Sequence, residues 1–170
     1  MKRIMIIGGC GAGKSTLSRK LAELTGLPLI HMDQLFWKPN WEETGKVEFA
    51  KIVKETAKKE KWIIDGNYSS TIDLRLERAD TVIALFRPTW VYLFRVFKRI
   101  IQNYGKTRED MTPGCPERFD LEFIHFILFF NLTRKPSLLK KLKRLDDSKK
   151  VYILKSDKEV EAYLLSLSNN

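Results

Sequence analysis

Lys14 and Ser15 close the run Gly8-Gly9-Cys10-Gly11-Ala12-Gly13-Lys14-Ser15-Thr16, which follows an apolar stretch at 4–7 and precedes a helical pattern at 17–24. A glycine, four residues and then Gly-Lys-Ser in that setting is the spacing of a phosphate-binding P-loop. Glycines permit the turns that aim successive backbone N–H groups at phosphate oxygens. Lys14 is placed to reach the β and γ phosphates and the Ser15 hydroxyl to ligate Mg2+, while the start of the next helix adds its positive dipole end. Thr16 is a further hydroxyl. Gly8, Gly9, Cys10, Gly11, Ala12, Gly13, Lys14, Ser15 and Thr16 therefore predict a site for ATP and Mg2+.

Two carboxylates stand where acceptor-side chemistry belongs. Asp33 and Asp65 each fall just after a short apolar run, at what would be the carboxyl ends of sheet strands, the place where open α/β sheets bind ligands. Asp65 follows Trp62-Ile63-Ile64, the apolar-strand-then-Asp form of a Walker B element, and is expected to hold Mg2+ through water. Asp33 is a candidate to bind an acceptor hydroxyl and take its proton, or to orient a second metal water. Trp37 and Trp41 lie in the intervening segment, where a base or sugar could stack. Arg95 and Arg99 are one helical turn apart and project to the same side, suited to clamping phosphates as charge develops.

The elements that must position these groups read as alternating strands and helices. Strands are expected at 2–7, 27–30, 62–64, 81–86 and 151–154. Helices are expected at 14–25, 47–59, around 74–77, from Pro88 to about 103, and at 121–132, with a continuation beyond Pro136 to about 145. Gly26 suits a helix end, and Ser156 with Glu159 three residues on forms a capping box for a closing helix. Residues 31–41 read as an aromatic loop. Residues 104–120, with Gly105, Pro113, Gly114 and Pro116 among charges, read as a mobile loop in the position of a lid. The pattern is α/β, with a parallel sheet covered on both faces.

Composition narrows the class. The 170 residues, 44% hydrophobic and 11% aromatic, are the size of one domain with a proper core, so one unit spanning 1–170 is expected. No stretch is long and apolar enough for a membrane span, and two cysteines suggest neither a disulfide framework nor a zinc site. A cytoplasmic protein is expected. The net charge of +10 admits a nucleic-acid footprint or a positive field around a polyphosphate site. Fourteen Lys or Arg against seven Asp or Glu lie between Arg95 and Lys150, so most of the excess falls in the second half of the chain.

The opening loop, Asp65-Gly66, and above all the stretch from Pro88 to Arg99 resemble the adenylate kinase group of small P-loop kinases. A closer resemblance is to the bacterial adenylate-kinase-related proteins labelled "DNA topology modulation" proteins. It runs through His31-Met32-Asp33, Trp37-Lys38-Pro39, Trp62-Ile63-Ile64-Asp65-Gly66-Asn67-Tyr68, Gly105-Lys106-Thr107-Arg108 and Gly114-Cys115-Pro116-Glu117-Arg118, and so covers nearly the whole chain. The resemblance implies a three-layer P-loop NTPase fold: a five-stranded parallel sheet of order 2-3-1-4-5 with a helical or loop lid. It also implies that Arg95 and Arg99 contact the triphosphate and adenine. Adenylate kinases continue from the Asp-Gly with Phe-Pro-Arg, whereas this chain has Asn67-Tyr68-Ser69, so that motif's monophosphate-side arginine is missing. Arg75 is the nearest substitute, and AMP is not the expected acceptor.

The leading expectation is an ATP- and Mg2+-dependent phosphotransferase for a small acceptor, perhaps a nucleoside or nucleotide. Lys14, Arg95 and Arg99 would stabilise charge, Ser15 and Asp65 hold the metal, and Asp33, Trp37, Tyr68 and Arg75 face the acceptor, with Arg108 and Arg118 in the lid closing on donor phosphates. The alternative is a nucleic-acid-associated P-loop ATPase or regulator affecting DNA topology, favoured by the basic second half. A homodimer through 121–130 is compatible with either.

Overall fold

The computed structural model describes residues 1–168; Asn169 and Asn170 lie outside the described residues. Seven strands form in chain order: β1 Arg3–Gly8, β2 Leu29–His31, β3 Trp37–Lys38, β4 Glu42–Glu43, β5 Trp62–Asp65, β6 Thr81–Leu85 and β7 Lys150–Leu154. Five make a parallel sheet in the order β2-β5-β1-β6-β7, while β3 and β4 pair separately as a small antiparallel ribbon. Counting only the strands of the large sheet, the order is 2-3-1-4-5, as expected. Every residue of β5 and β6 is buried, so both faces of the central strands are covered.

The helices are α1 Lys14–Thr25, α2 Met32–Phe36, α3 Lys46–Lys58, α4 Ile72–Arg78, α5 Thr89–Asn103, α6 Leu121–Thr133, α7 Lys135–Leu142 and α8 Asp157–Ser168. α1 packs on β1, β2, β5 and α8, α3 on α4, and α6 on both α5 and α7. α1 ends as its sequence predicts: Gly26 has φ 66°, and its N–H donates to Ala22 O at 2.8 Å. α5 buries Tyr92, Val96 and Ile100 on one stripe. The capping box of α8 forms, with Glu159 N donating to Ser156 Oγ at 3.2 Å, while Lys155 N rather than Ser156 N donates to Glu159 Oε2 at 2.8 Å. On α6, Ile127 and Phe130 are buried while Leu121, Leu128 and Phe129 are exposed.

Two segments differ from the expectation of open loops. Residues 31–41 fold into α2 and one strand of the ribbon, because Met32 is fully buried and anchors the turn, and the chain reverses through Asn40 and Trp41, both at positive φ. Residues 104–120 contain no helix or strand yet are docked. Gly105 N donates to Glu117 O at 3.0 Å and Glu117 N to Lys106 O at 2.9 Å, and Asp110, Met111, Cys115 and Glu117 are buried. The dock is the ribbon: Asn40 N donates to Gly114 O at 2.9 Å, Thr112 Oγ1 to Trp37 O at 2.6 Å and Trp41 Nε1 to Pro116 O at 3.2 Å, while Cys115 Sγ lies 3.2 Å from Lys38 O.

Candidate active site

The carboxyl edge of the sheet carries the site. β1 runs into the glycine loop, whose shape depends on what lies beneath it. A Cβ on Gly9 would sit 2.4 Å from the Tyr92 ring, so only glycine lets the loop rest on α5. Gly13, at φ 97°, is the N-cap of α1; it offers no side-chain cap, and the first turn carries no acidic residue. The N–H groups of that turn are therefore left for another acceptor. Lys14 Nζ donates to Gly9 O at 3.1 Å, folded along the loop it would leave for a phosphate. Asn67, just past β5, brackets Gly8 as a peptide would: Gly8 N donates to its Oδ1 at 2.9 Å, and its Nδ2 donates to Gly8 O at 2.6 Å. Thr16 is exposed at the outer side of α1. Burial pushes the half-buried Cys10 thiol pKa upward against the nearby Lys14 charge.

Asp65 lies beside His31 because parallel pairing of β2 with β5 puts the two in register. Their side chains meet at 2.8 Å, Asp65 Oδ1 to His31 Nδ1, and Ser18 Oγ of α1 donates to Asp65 Oδ2 at 3.1 Å. Burial opposes a charged His31, but the Asp65 hydrogen bond and charge outweigh it, leaving the imidazole pKa above its ordinary value.

Asp33 is on the first turn of α2. The Tyr68 hydroxyl donates to its Oδ1 at 2.6 Å. Burial raises the Asp33 pKa; the Tyr68 bond and the charges of Lys14 and Arg108 pull the other way without cancelling it. Tyr68 also packs its ring on Phe36 and Phe49 at centroid distances of 4.8 and 5.1 Å.

Arg75 is not an acceptor ligand. It is fully buried beneath the loop after β5, and its guanidinium donates to Gly66 O at 2.6 Å, Asn67 O at 2.5 Å and Tyr68 O at 3.3 Å. Burial pushes its pKa down to about 9, so it stays cationic at neutral pH. A short helix that must bury its inner face turns Arg75 inward, where three carbonyls left without strand partners receive it. Arg75 thus positions Tyr68, whose φ of 31° needs such a hold.

Arg95 and Arg99 share a helix side but have different partners. Arg95 lies over the glycine loop, its Nη1 3.6 Å from where a Gly13 Cβ would be, and its Nη2 donates to Asp157 Oδ2 at 2.6 Å. Asp157 is held in turn by buried Arg87 at 3.3 Å. Arg99 reaches the docked segment: Glu117 accepts from Arg99 Nη2 at 2.9 Å and from Arg108 Nε at 2.8 Å. Arg118 sits 5.1 Å over the Trp41 ring and pairs with Asp120 at 3.5 Å. Sequence reasoning missed Asn67, Ser18, Asp110, Glu117 and Asp157 as site residues. Only Asn67 carried a local signal, its place directly after Asp65-Gly66.

The solved structures fix the fold. A shikimate kinase from Acinetobacter baumannii in complex with shikimate superposes with a TM-score of 0.60 at 18% identity, covering 100% of this chain and 95% of that one. The chain has the P-loop NTPase fold of the shikimate kinases. A second shikimate kinase, from Bacteroides thetaiotaomicron, gives 0.59 at 20% identity over 99% and 96% of the two chains, and a sugar kinase from Janibacter sp. gives 0.50 at 15% over 99% and 91%. No family model matches the chain, and no curated protein matches it in sequence. Among the described residues, no helix is long and apolar enough to cross a membrane.

The residues present fit the nucleotide and metal that this fold implies. An uncapped helix start, Lys14 and Arg95 suit a polyphosphate. Ser15 and Asp65 are hard oxygen donors of the kind Mg2+ takes, few in number because this cation keeps several waters and shares phosphate oxygens.

Proposed function

We propose that the chain is an ATP- and Mg2+-dependent phosphotransferase for a small acceptor hydroxyl, one kinase unit with residues 104–120 as its lid. The observation that carries the reading is Asp33. It is a half-buried carboxylate facing the Lys14 charge across the edge of the sheet, held by Tyr68 and having a raised pKa. A carboxylate so placed can accept the acceptor's proton as its oxygen attacks the γ-phosphorus. The two phosphate-side groups, Lys14 and Arg95, draw charge toward the donor, and Mg2+ at Ser15 and Asp65 would neutralise it further. Arg99, joined through Glu117 to Arg108, adds positive charge where the lid meets the loop.

The acceptor side offers an aromatic wall, Trp37, Phe36 and Tyr68, beside one carboxylate. That combination suits a small polyol, sugar or nucleoside whose ring rests on aromatic faces while a hydroxyl meets Asp33. The resemblance to the DNA topology modulation proteins is compatible with this reading, since that label describes a cellular phenotype and not a reaction. The test is a screen of nucleosides, nucleotides, sugars and other hydroxylated acceptors for acceptor-dependent ADP release, with Asp33→Asn as the control. Release that no acceptor stimulates, together with duplex DNA binding that survives physiological salt, would overturn the proposal in favour of a nucleic-acid ATPase.

A further inference from the structure

α5 carries two apolar stripes, where a helix that only covers the sheet needs one. Tyr92, Val96 and Ile100 make the stripe that is buried in the core. Trp90, Phe94, Phe97, Ile101 and the C-cap residue Tyr104 make the other, and they are between 40% and 79% exposed. The second stripe alternates steps of four and three residues, a repeat averaging about 3.5 that keeps one line of side chains turned toward a partner helix, as in a coiled coil. Arg95 and Arg99 leave this line and turn to the glycine loop and the docked segment, so the exposed stripe has no part in the site.

α6 extends the surface. It runs antiparallel to α5: Arg99 stands 5.6 Å from the Phe123 ring at one end, and Asn131 Nδ2 donates to Arg87 O, just before α5, at 3.0 Å at the other. Leu121, Leu128 and Leu132 repeat along its outer side with Phe129 beside them, all exposed, whereas Ile127 and Phe130 are buried. Phe119 joins the two helices, its ring stacked on Phe97 at a centroid distance of 6.3 Å. An aromatic side chain offers about 150–250 Å2, so the exposed fractions of the six rings on this face alone leave about 500–800 Å2 open. The largest apolar patch on a typical monomer is about 300–600 Å2, whereas each partner in a standard interface contributes about 800 Å2. With Ile101 and the leucines added, the face has the second size.

The polar residues of the face decide what covers it. Those exposed on α5 and α6 are Lys98, Gln102, Glu122, His125 and Thr133, of both signs, and not the uniformly basic rim that holds a helix on an anionic lipid surface. A two-fold axis sets such a face against itself, so the α5 cation of one copy has the α6 anion of the other in the same interface. We propose that α5 and α6 form an isologous homodimer interface, with a second copy of this chain as the occupant. The interface is wider than residues 121–130 and is centred on α5. It is independent of the phosphotransferase reading. Tyr104 begins segment 104–120 and Phe119 stands one residue from its end, so the second copy covers both ends of that segment.

The test is analytical ultracentrifugation of the full chain across a concentration series. The wild type should sediment at twice the 19.9 kDa of one chain. Phe94→Glu and Ile101→Glu each place a carboxylate in the stripe of both copies and should weaken association by about 100-fold or more. Their circular dichroism should match that of the wild type, because both side chains are exposed in the single chain. Val47→Glu, at an exposed position on α3, which packs on α4, should remain dimeric. A wild type that sediments as one chain at every concentration overturns the proposal, and binding of that monomer to vesicles of anionic phospholipid, lost in Ile101→Glu, would give the face to a lipid surface. A dimer that persists undiminished in both α5 variants overturns it as well, by placing the interface elsewhere. Should either variant not fold, amide exchange in the wild type decides: protection at 90–104 and 121–132 should rise with protein concentration, and exchange independent of concentration overturns the proposal.

Discussion

The Tyr68 hydroxyl donates a 2.6 Å hydrogen bond to Asp33 Oδ1, joining the loop after β5 to the first turn of α2. The bond stabilises the ionised carboxylate and so lowers its pKa, against the larger effect of burial, which raises it. A base that must be ionised works above its pKa. Tyr68→Phe removes the stabilising donor, raises the Asp33 pKa further and moves the acidic limb of the pH-rate profile to higher pH. A hydrogen bond to a charged group contributes about 1.5–3 kcal/mol, enough for the displacement to be read from the profile. A limb that stays in place would show that Asp33 is not the titrating base.

Asp33→Asn and Asp65→Asn should fail differently. The first should lower acceptor-dependent transfer by about 10²- to 10⁴-fold while leaving ATP binding and slow hydrolysis by water in place. The second removes a metal-site carboxylate that also holds His31 and Ser18, and should raise the Mg2+ concentration needed for both transfer and hydrolysis. Equal loss of Mg2+-ATP affinity in the two variants would move Asp33 from the acceptor to the metal.

Arg75→Ala should destabilise the fold by about 2–4 kcal/mol, because it leaves Gly66 O and Asn67 O without their charged donor, while Tyr68 O keeps Thr71. Arg75→Lys should recover little, since an ammonium cannot reach three carbonyls with the geometry of a planar fork. Urea unfolding of both variants measures this. A loss below about 1 kcal/mol would mean that the loop holds Tyr68 without Arg75.

Lys14→Ala should leave thermal stability within about 0.5 kcal/mol of the wild type, because the side chain makes one hydrogen bond, to Gly9 O, and packs no core. Nucleotide affinity or turnover should fall steeply in the same protein. Calorimetry of ADP binding alongside thermal melting separates the two effects, and unimpaired transfer would remove the assignment of Lys14 to the phosphates.

What the sequence determined by itself was whatever depends on neighbours along the chain. The glycine loop is legible because its chemistry lies in contiguous backbone, and its ends, an apolar run and a helix capped at Gly26, are local too. The parallel sheet followed from alternating strands and helices, its strand order from the family resemblance alone, and the placement of Asp33 and Asp65 from strand ends. The tertiary structure decided what those groups touch. Arg75 looked like a ligand until the burial of α4 turned it under the loop. Segment 104–120 looked mobile because it has no periodicity, yet partners more than 70 residues away in the ribbon hold it. Asp157 holding Arg95 and Glu117 joining Arg99 to Arg108 are pairs of ordinary charged residues set apart along the chain. Nothing in the local pattern of a charge names its partner; only the packing of the sheet, α5 and the ribbon brings them within reach.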